Sequence, residues 1–403
     1  MVDPEAESVS GPVDIGIAGG RFAAIGYELA GNAGEVIDCD RRYVLPGLID
    51  CHVHPFLADA NFARLGEVPP TLMSARAGRI LEGMLLRGFT TVRDAAGADW
   101  GIKQAVEDGL IAGPRLFIAG RALSQTGGHG DFRSLTDDRD ICHCQHALAF
   151  TSRIADGIDG VRKAVREELR KGADQIKIMV SGGVSSPHDP LERNQYSPDE
   201  ISVIVEEAQR RGTYVMAHAY GADAIRVALE CGVRTIEHGN MIDEATAALA
   251  AEKEAFLVPT LVTYEVLADT AEENGWSASM MDKLSRVREA GLQSIRICRE
   301  AGVKLGLGTD LLGDSFDHQS REFLIRGRVE SPAQVLHSAT RINAEILRRE
   351  GELGVIKEAA IADLLVLERN PLEDLAVLQD QGRHMPAIIK DGSVVKSSLT
   401  ESL

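Results

Sequence analysis

Short apolar stretches alternate with longer amphipathic stretches along most of this chain of 403 residues. Each apolar stretch is rich in β-branched residues and ends in polar residues, which is typical of buried strands, whereas the longer stretches have helical spacing. Strands that alternate with helices pair in parallel, and eight such units predict a closed (β/α)8 barrel, the TIM barrel of the α/β class. The predicted strands are 44–54, 88–95, 114–124, 175–183, 213–219, 234–239, 256–262 and 304–310.

Helix boundaries between these strands follow from capping residues. Ser197 is a predicted N-cap, Pro198 suits the first helical position, and acidic residues follow in the first turn. This helix ends in basic residues and Gly212, which is a typical stop. The segments 159–172 and 280–302 predict helices in the same way.

The two ends of the chain do not fit the barrel. Residues 13–25 alternate in polarity and break at a Gly-Gly pair, which predicts a β-hairpin. Residues 362–367 and 387–395 provide further strands near the other end. We therefore predict two domains, a small β-sandwich formed by residues 1–45 and 355–403, and a catalytic barrel of residues 46–354.

The composition is that of a folded, acidic protein. Hydrophobic residues make up 44% of the chain, and 43 basic residues against 61 acidic residues give a net charge of −18. This charge argues against a nucleic-acid or anionic-membrane partner, because phosphate-rich surfaces attract the opposite sign. The six cysteines are too few for a disulfide framework. Because neither a signal peptide nor an apolar run of about 18 residues is visible, we expect a cytoplasmic location.

Polar residues with metal-binding side chains follow several predicted strands. His52 and His54 end the first strand, where side chains two residues apart point the same way. His218 ends the fifth strand, His238 the sixth and Asp310 the eighth. Each residue alone could be an ordinary core or capping residue. Together they lie at the carboxyl ends of barrel strands, where active sites are built, and they predict a metal site.

Lys177 lies within the apolar fourth strand, between Ile176 and Ile178, where a bare ammonium is costly to bury. A buried lysine beside metal ions can react as the neutral amine with carbon dioxide, and the resulting carbamate can bridge two cations. The alternative is a structural lysine that pairs with a nearby acid.

This order of residues on strands one, four, five, six and eight resembles the binuclear amidohydrolase superfamily. The stretches PGLIDCHVH, GADQIKIMVSGGV, GVRTIEHGN and GLGTDLLG are similar to those of prolidase-like enzymes in its imidazolonepropionase-related branch. The resemblance covers essentially the whole chain. It implies two divalent metal ions, for which we expect zinc, and hydrolysis of dipeptides or N-acyl amino acids at a C-terminal residue, typically proline.

The resemblance also assigns roles: His52 and His54 match the ligands of the more buried metal, Lys177 the carboxylated bridge, His218 and His238 the ligands of the more exposed metal, and Asp310 the aspartate that binds metal and moves protons. We therefore expect a metal-bridging hydroxide to attack the amide carbonyl, with Asp310 as the proton shuttle. Such enzymes usually begin with one further β-strand, so either the sandwich is a strand short here or the start codon was placed late.

A substrate with a C-terminal α-carboxylate needs hydrogen-bond donors. We expect His129 in the GGHGD loop and Tyr220 after the fifth strand to bind it, with Arg121 as a further candidate. Each has a structural alternative, namely a loop hydrogen bond for His129, a packed rim residue for Tyr220 and an ion-pair partner for Arg121.

Other reactions on the same scaffold remain open. A relative could release C-terminal arginine or lysine, or an aromatic amino acid from N-acyl or xenobiotic amides. A cyclic-amide hydrolase or a deaminase is a further alternative, and a single-metal deaminase would not need Lys177. A binding module without enzymatic activity would need no metal ion. We expect small-molecule substrates only, and a homo-oligomer because relatives commonly assemble.

The loop 124–151 carries Cys142, Cys144 and His146, but it lacks the second ligand pair of a structural zinc site. We predict a mobile loop near the barrel mouth.

Overall fold

The computed structural model describes residues 1–29, 31, 34–57, 68–137, 152–186, 189–270, 276–399 and 401–402. Eight parallel barrel strands confirm the predicted TIM barrel. Numbered one to eight along the chain, they are Leu48–Val53, Phe89–Asp94, Arg115–Phe117 continued by Ala122–Ser124, Ile176–Met179, Val215–Gly221, Thr235–Met241, Phe256–Val258 and Lys304–Leu305.

Strand three is interrupted between its two pieces. Its first piece pairs with strand two, and its second piece pairs with strand four. The second piece also pairs in parallel with the short strand Ser152–Ile154, which lies outside the barrel.

Helices of different lengths surround the barrel. The helix predicted after Ser197 is confirmed, because the Ser197 hydroxyl accepts from the amide of Glu200 and the Glu200 side chain caps the helix in return. The α-helices are Pro70–Leu86, Trp100–Glu107, Gly157–Arg170, Pro198–Arg210, Ala222–Glu230, Glu244–Glu252, Leu261–Thr270, Ala278–Glu300, Arg321–Arg326, Pro332–His337 and Asn343–Ile346. In the described part of the chain, none of them is long and apolar enough to cross a membrane.

Strands seven and eight are shorter than predicted. Strand seven ends at Val258, and Leu261 and Val262 belong to the next helix, where both are buried. The apolar pattern continues from the strand into the helix, so that periodicity does not mark this boundary. After Leu305, the chain keeps single backbone contacts with both neighbouring strands as far as Asp310.

The chain ends form sheets outside the barrel. A four-stranded antiparallel sheet contains Tyr43–Pro46, Leu364–Leu367, Ala387–Lys390 and Ser393–Ser397. The predicted hairpin is confirmed as Asp14–Ala18 and Arg21–Gly26. A separate hydrophobic cluster, to which Phe22, Leu364 and Ile389 belong, joins hairpin and sheet into a sandwich. Two-stranded pairings join Val2–Asp3 to Ser8–Val9 and Val36–Ile37 to Glu401–Ser402.

A partly buried arginine connects barrel and sandwich. Arg115 in strand three donates to Asp363, at 2.8 Å, and to Asp391 in the C-terminal hairpin turn. Strand Tyr43–Pro46 runs across the predicted domain boundary at residue 45, so the sandwich continues directly into the barrel. The division into two domains stays a prediction.

Few backbone hydrogen bonds close the barrel between strands eight and one. The Cys51 amide donates to the Leu307 carbonyl, and the Asp310 amide donates to the His52 carbonyl, both at 2.8 Å. The fully buried side chain of Asn343 adds three more bonds: its Nδ2 donates to the carbonyls of Ile49 (2.6 Å) and Leu307 (2.8 Å), and its Oδ1 accepts from the Leu307 amide (3.0 Å). The Asn343 side chain thus replaces part of the backbone hydrogen bonding between strands eight and one.

We predict that Asn343→Ala lowers the free energy of unfolding by about 2–4 kcal/mol, because it leaves buried backbone groups without partners. Urea unfolding followed by circular dichroism measures this change. The matched control is Asn194→Ala, which removes one exposed hydrogen bond to Asp223 and should change stability by less than about 0.5 kcal/mol. A loss below about 1 kcal/mol for Asn343→Ala would contradict this role in barrel closure.

Candidate active site

Three predicted metal ligands converge at the carboxyl ends of strands one and eight. Asp310 Oδ1 lies 3.1 Å from His54 Nε2 and 3.4 Å from His52 Nε2. One potential ligand atom from each of the three residues lies within 4.8 Å of the others. Asp310 Oδ2 lies 3.9 Å from His238 Nδ1, so the carboxylate faces the histidines of strand one on one side and that of strand six on the other.

The backbone is strained where it presents two of these side chains. Asp310 has a φ of 53° and His238 a φ of 74°, in the left-handed region that residues with a side chain rarely adopt. Such strain costs about 1–3 kcal/mol per residue and clusters at functional sites. The approach is also tight at Gly308, where a Cβ atom would lie 2.7 Å from the Cβ of His52. The fold therefore fixes where these side chains point.

A buried carboxylate orients His52. Glu237 Oε2 lies 2.7 Å from His52 Nδ1, and Glu237 Oε1 accepts from the guanidinium of Arg93 at 2.8 Å. Burial alone would raise the pKa of Glu237, but Arg93 and His52 hold this pKa below its ordinary value. An ionised carboxylate only accepts hydrogen bonds, so His52 Nδ1 donates to Glu237, and Nε2 is the ring atom that faces Asp310.

Sequence reasoning missed Glu237 and Arg93. Glu237 lies in buried strand six and Arg93 in buried strand two. A charged residue inside a buried strand was the sequence feature that could have identified them. The distance between them in the sequence hides their pairing, because only the closed barrel brings the two strands across from each other.

The other imidazoles also keep one ring nitrogen bound to the protein. His54 Nδ1 lies 2.9 Å from the Ala96 carbonyl, and His218 Nε2 lies 3.2 Å from the Gly182 carbonyl. Burial lowers the pKa of His218 and of His238 well below the usual range, so both rings are neutral at pH 7. Neutral imidazoles are the form that binds metal ions.

The ring contacts place the imidazoles from three strands together. The centroids of His52 and His238 are 5.0 Å apart, and those of His218 and His238 are 4.7 Å apart. Histidines from strands one, five and six therefore surround one region, next to Asp310.

Lys177 is a buried lysine without a hydrogen-bond or ion-pair partner among the described residues. Its side chain is 2% exposed, and within the described residues its ammonium makes no hydrogen bond or ion pair. Burial lowers the pKa of Lys177 to about 8. The alternative of a structural lysine paired with an acid therefore receives no support from the geometry. A buried amine close to its neutral form is what carbamate formation requires.

The collected groups fit divalent metal ions. They offer imidazole nitrogens, a carboxylate oxygen and a buried amine that would become a carbamate oxygen donor. Nitrogen and oxygen ligands of this kind suit zinc, and they also suit manganese and cobalt.

His129 and Tyr220 lie against the predicted metal ligands. The His129 ring stacks on His218 at 4.3 Å, and the Tyr220 ring stacks on His238 at 5.2 Å. Burial lowers the pKa of His129 to about 4 and raises the pKa of Tyr220, so both are neutral at pH 7. The Tyr220 hydroxyl accepts from Tyr264 at 3.2 Å, which leaves its own proton for another acceptor.

Arg121 is not brought to this cluster by any contact between described residues. Its charged neighbours are Glu168 and Arg153, and its backbone amide donates to Glu168. Its assignment as a substrate-binding residue stays a prediction without geometric support. Cys142, Cys144 and His146 lie outside the described residues.

Comparisons with known proteins agree with this geometry. The sequence model of the amidohydrolase family matches residues 43–395. Ochratoxinase from Aspergillus niger is 34% identical over 352 residues, which cover 84% of this chain and 72% of that protein.

Solved structures show the same relationship. A prolidase in complex with N-methylphosphonate-L-proline is 50% identical, with a TM-score of 0.92, over 95% of this chain and 94% of that chain. An Xaa-Pro dipeptidase with methionine in its active site is 29% identical, with a TM-score of 0.88, over 98% of both chains.

We predict that Gly183→Ala displaces His129 and raises KM by about tenfold or more, as His129→Ala should. A Cβ atom at position 183 would lie 1.9 Å from the imidazole ring, closer than any real contact. Steady-state kinetics on the metal-loaded protein separate KM from kcat. The control is Gly221→Ala at the end of strand five, where a Cβ atom meets nothing within 4 Å. If both Gly183→Ala and His129→Ala keep the KM of the unchanged protein, as the control should, His129 does not bind substrate.

Proposed function

The chain belongs to the amidohydrolase family as a prolidase-like member, and from this premise we propose that it hydrolyses Xaa-Pro dipeptides or N-acyl-prolines. Hydrolysis of an amide C–N bond follows from the family and its amide-cleaving relatives. The choice of proline rests on one observation, which is the 50% identity with a prolidase that binds a proline phosphonate.

Two divalent metal ions would be held by the side chains that converge on Asp310. We assign one to His52 and His54 and the other to His218 and His238, with carboxylated Lys177 as the bridge and Asp310 as a further ligand. When bound, the metal ions would polarise the scissile carbonyl and lower the pKa of water towards about 7.

Asp310 is the residue that we assign to proton transfer. The imidazoles of His52 and His54 hold the pKa of Asp310 well below its usual range although burial opposes ionisation, so it is an acceptor at pH 7. Its side chain is 21% exposed, the most open of the predicted ligands, and can face a substrate. Asp310 accepts the proton of the attacking water and returns it to the departing nitrogen. The scissile amide nitrogen is the ring nitrogen of proline, which carries no hydrogen of its own and leaves as an amine once it receives that proton.

His129 and Tyr220 are our candidates for binding the substrate carboxylate. Both are neutral, and each has one hydrogen-bond donor, the hydroxyl of Tyr220 and one ring N–H of His129, whose Nδ1 lies 2.8 Å from Ser186 Oγ. Neutral donors avoid the burial of an unpaired cation in the free enzyme. They complement the negative charge of a carboxylate that lies beside metal ions.

A second candidate is hydrolysis of N-acyl aromatic amino acids, including xenobiotic amides. The observation that favours it is the 34% identity with ochratoxinase over 84% of this chain. The scaffold and the proton transfer would be the same, and only the residue released would differ.

A hydrolysis screen tests the proposed substrate class. The metal-loaded protein is given Xaa-Pro dipeptides, N-acyl-prolines, N-acyl-phenylalanines and Xaa-Arg or Xaa-Lys dipeptides, and the free amino acid is measured. We expect kcat/KM for proline release to exceed the others by at least about tenfold. Preferential release of phenylalanine would support the second candidate, and release of arginine or lysine would contradict both.

We predict that Asp310→Asn lowers kcat by about a thousandfold or more while bound metal is retained, because asparagine keeps an oxygen ligand but cannot accept a proton. Metal content by mass spectrometry and turnover are measured on the same sample. The control is Asp314→Asn, a nearby exposed aspartate, which should keep full turnover. Turnover within about tenfold of normal for Asp310→Asn would contradict its role in proton transfer.

A further inference from the structure

A second pocket lies at the opposite, amino-terminal end of the barrel. It has a volume of about 310 Å³, and its lining includes Gln175, Arg211, Tyr214 and Arg348. Gln175 precedes strand four and Tyr214 precedes strand five. His218 is four residues further along strand five, about 13 Å away at the usual strand rise. The pocket is therefore separate from the candidate active site.

Arg211 and Arg348 line this pocket, and Arg234 lies beside it, near the Tyr214 ring. The guanidinium of Arg348 lies 5.5 Å and that of Arg234 lies 5.7 Å from the centre of the Tyr214 ring. Arg348 donates to the Gly212 carbonyl at 2.7 Å, and Arg234 donates to the Glu345 carbonyl at 2.9 Å. Both contacts are to neutral backbone oxygens.

None of these arginines forms an ion pair with a carboxylate among the described residues. Arg211 likewise makes no side-chain hydrogen bond within that part of the chain. Burial lowers the pKa of Arg234, and repulsion from Arg348 adds to this effect, whereas Glu345 and Glu350 oppose it. The acidic residue in the lining, Asp174, is neutralised by Lys103, whose ammonium donates to both carboxylate oxygens at 2.8 Å. A local excess of positive charge is unexpected in a chain with a net charge of −18.

The pocket also contains buried polar atoms without partners. Gln175 is fully buried, and its Nε2 donates to the carbonyls of Asp94 (3.0 Å) and Phe117 (3.4 Å). Among the residues that the structure describes, its Oε1 has no hydrogen-bond donor, and Arg234 Nε beside the pocket has no acceptor. Native proteins leave few buried polar atoms unpaired, so each unpaired atom indicates a bound ligand or a water molecule.

We propose that this pocket is a second ligand site, which binds a small phosphate monoester. A phosphate group has three strong acceptor oxygens and up to two negative charges, which match the free guanidinium donors of Arg211 and Arg348. Tyr214 and Phe117 offer apolar walls for the carbon atoms of the ester. A simple carboxylate would satisfy fewer of these donors.

Isothermal titration of the metal-loaded protein with glycerol 3-phosphate, inorganic phosphate and acetate tests this proposal. The variant Arg211→Gln/Arg348→Gln should bind glycerol 3-phosphate at least about tenfold more weakly than the unchanged protein. Metal ions at the active site can also bind phosphate, and the double variant keeps that contribution. The difference between the two proteins therefore isolates the second pocket.

Two further variants keep the result interpretable. Arg211→Gln alone changes an exposed side chain and should weaken binding without risk to folding. The control Arg383→Gln removes one charge from an exposed arginine elsewhere and should leave the affinity unchanged. Equal binding of glycerol 3-phosphate by the double variant and the unchanged protein would overturn the proposal. Acetate that binds as tightly as glycerol 3-phosphate would overturn the assignment to phosphate.

Discussion

The cost of burying ionisable groups at one end of the barrel is the constraint on which this structure depends. Lys177 has no partner in the described part of the chain, and His218 and His238 are neutral only because burial disfavours their charged forms. Hydrophobic packing alone would exclude such groups. Metal ions and carbon dioxide are the ligands that would satisfy them together, and the proposed chemistry follows from that requirement.

Several buried contacts of the fold hold these groups in place. Glu237 and Arg93 fix the ring of His52, and the backbone of Asp310 is held in the left-handed region. Asn343 joins strands eight and one just below the residues that carry the ligands. These supports act on the barrel strands that carry the predicted ligands, and we propose that His129 and Tyr220 set the specificity.

The sequence was sufficient for the barrel and for the order of the candidate ligands. Strand ends can be read from polarity, and the face on which they meet follows from parallel pairing. The partnership of Glu237 with Arg93 could not be read, since it depends on which strands face each other across the closed barrel. The end of strand seven was misplaced because apolar residues continue into a buried helix. Arg211, Arg234 and Arg348, at the opposite end of the barrel, come from three segments that are far apart in the sequence. No local sequence pattern therefore indicates that they lie close together.

The central claim is that the converging side chains hold two metal ions bridged by Lys177. Metal equivalents per chain, measured by inductively coupled plasma mass spectrometry after loading with zinc and bicarbonate, test it most directly. We expect two equivalents for the unchanged protein and at most one for Lys177→Met, with turnover lost in the variant. One equivalent in the unchanged protein, or full turnover in Lys177→Met, would contradict it and would favour a single-metal enzyme on the same barrel.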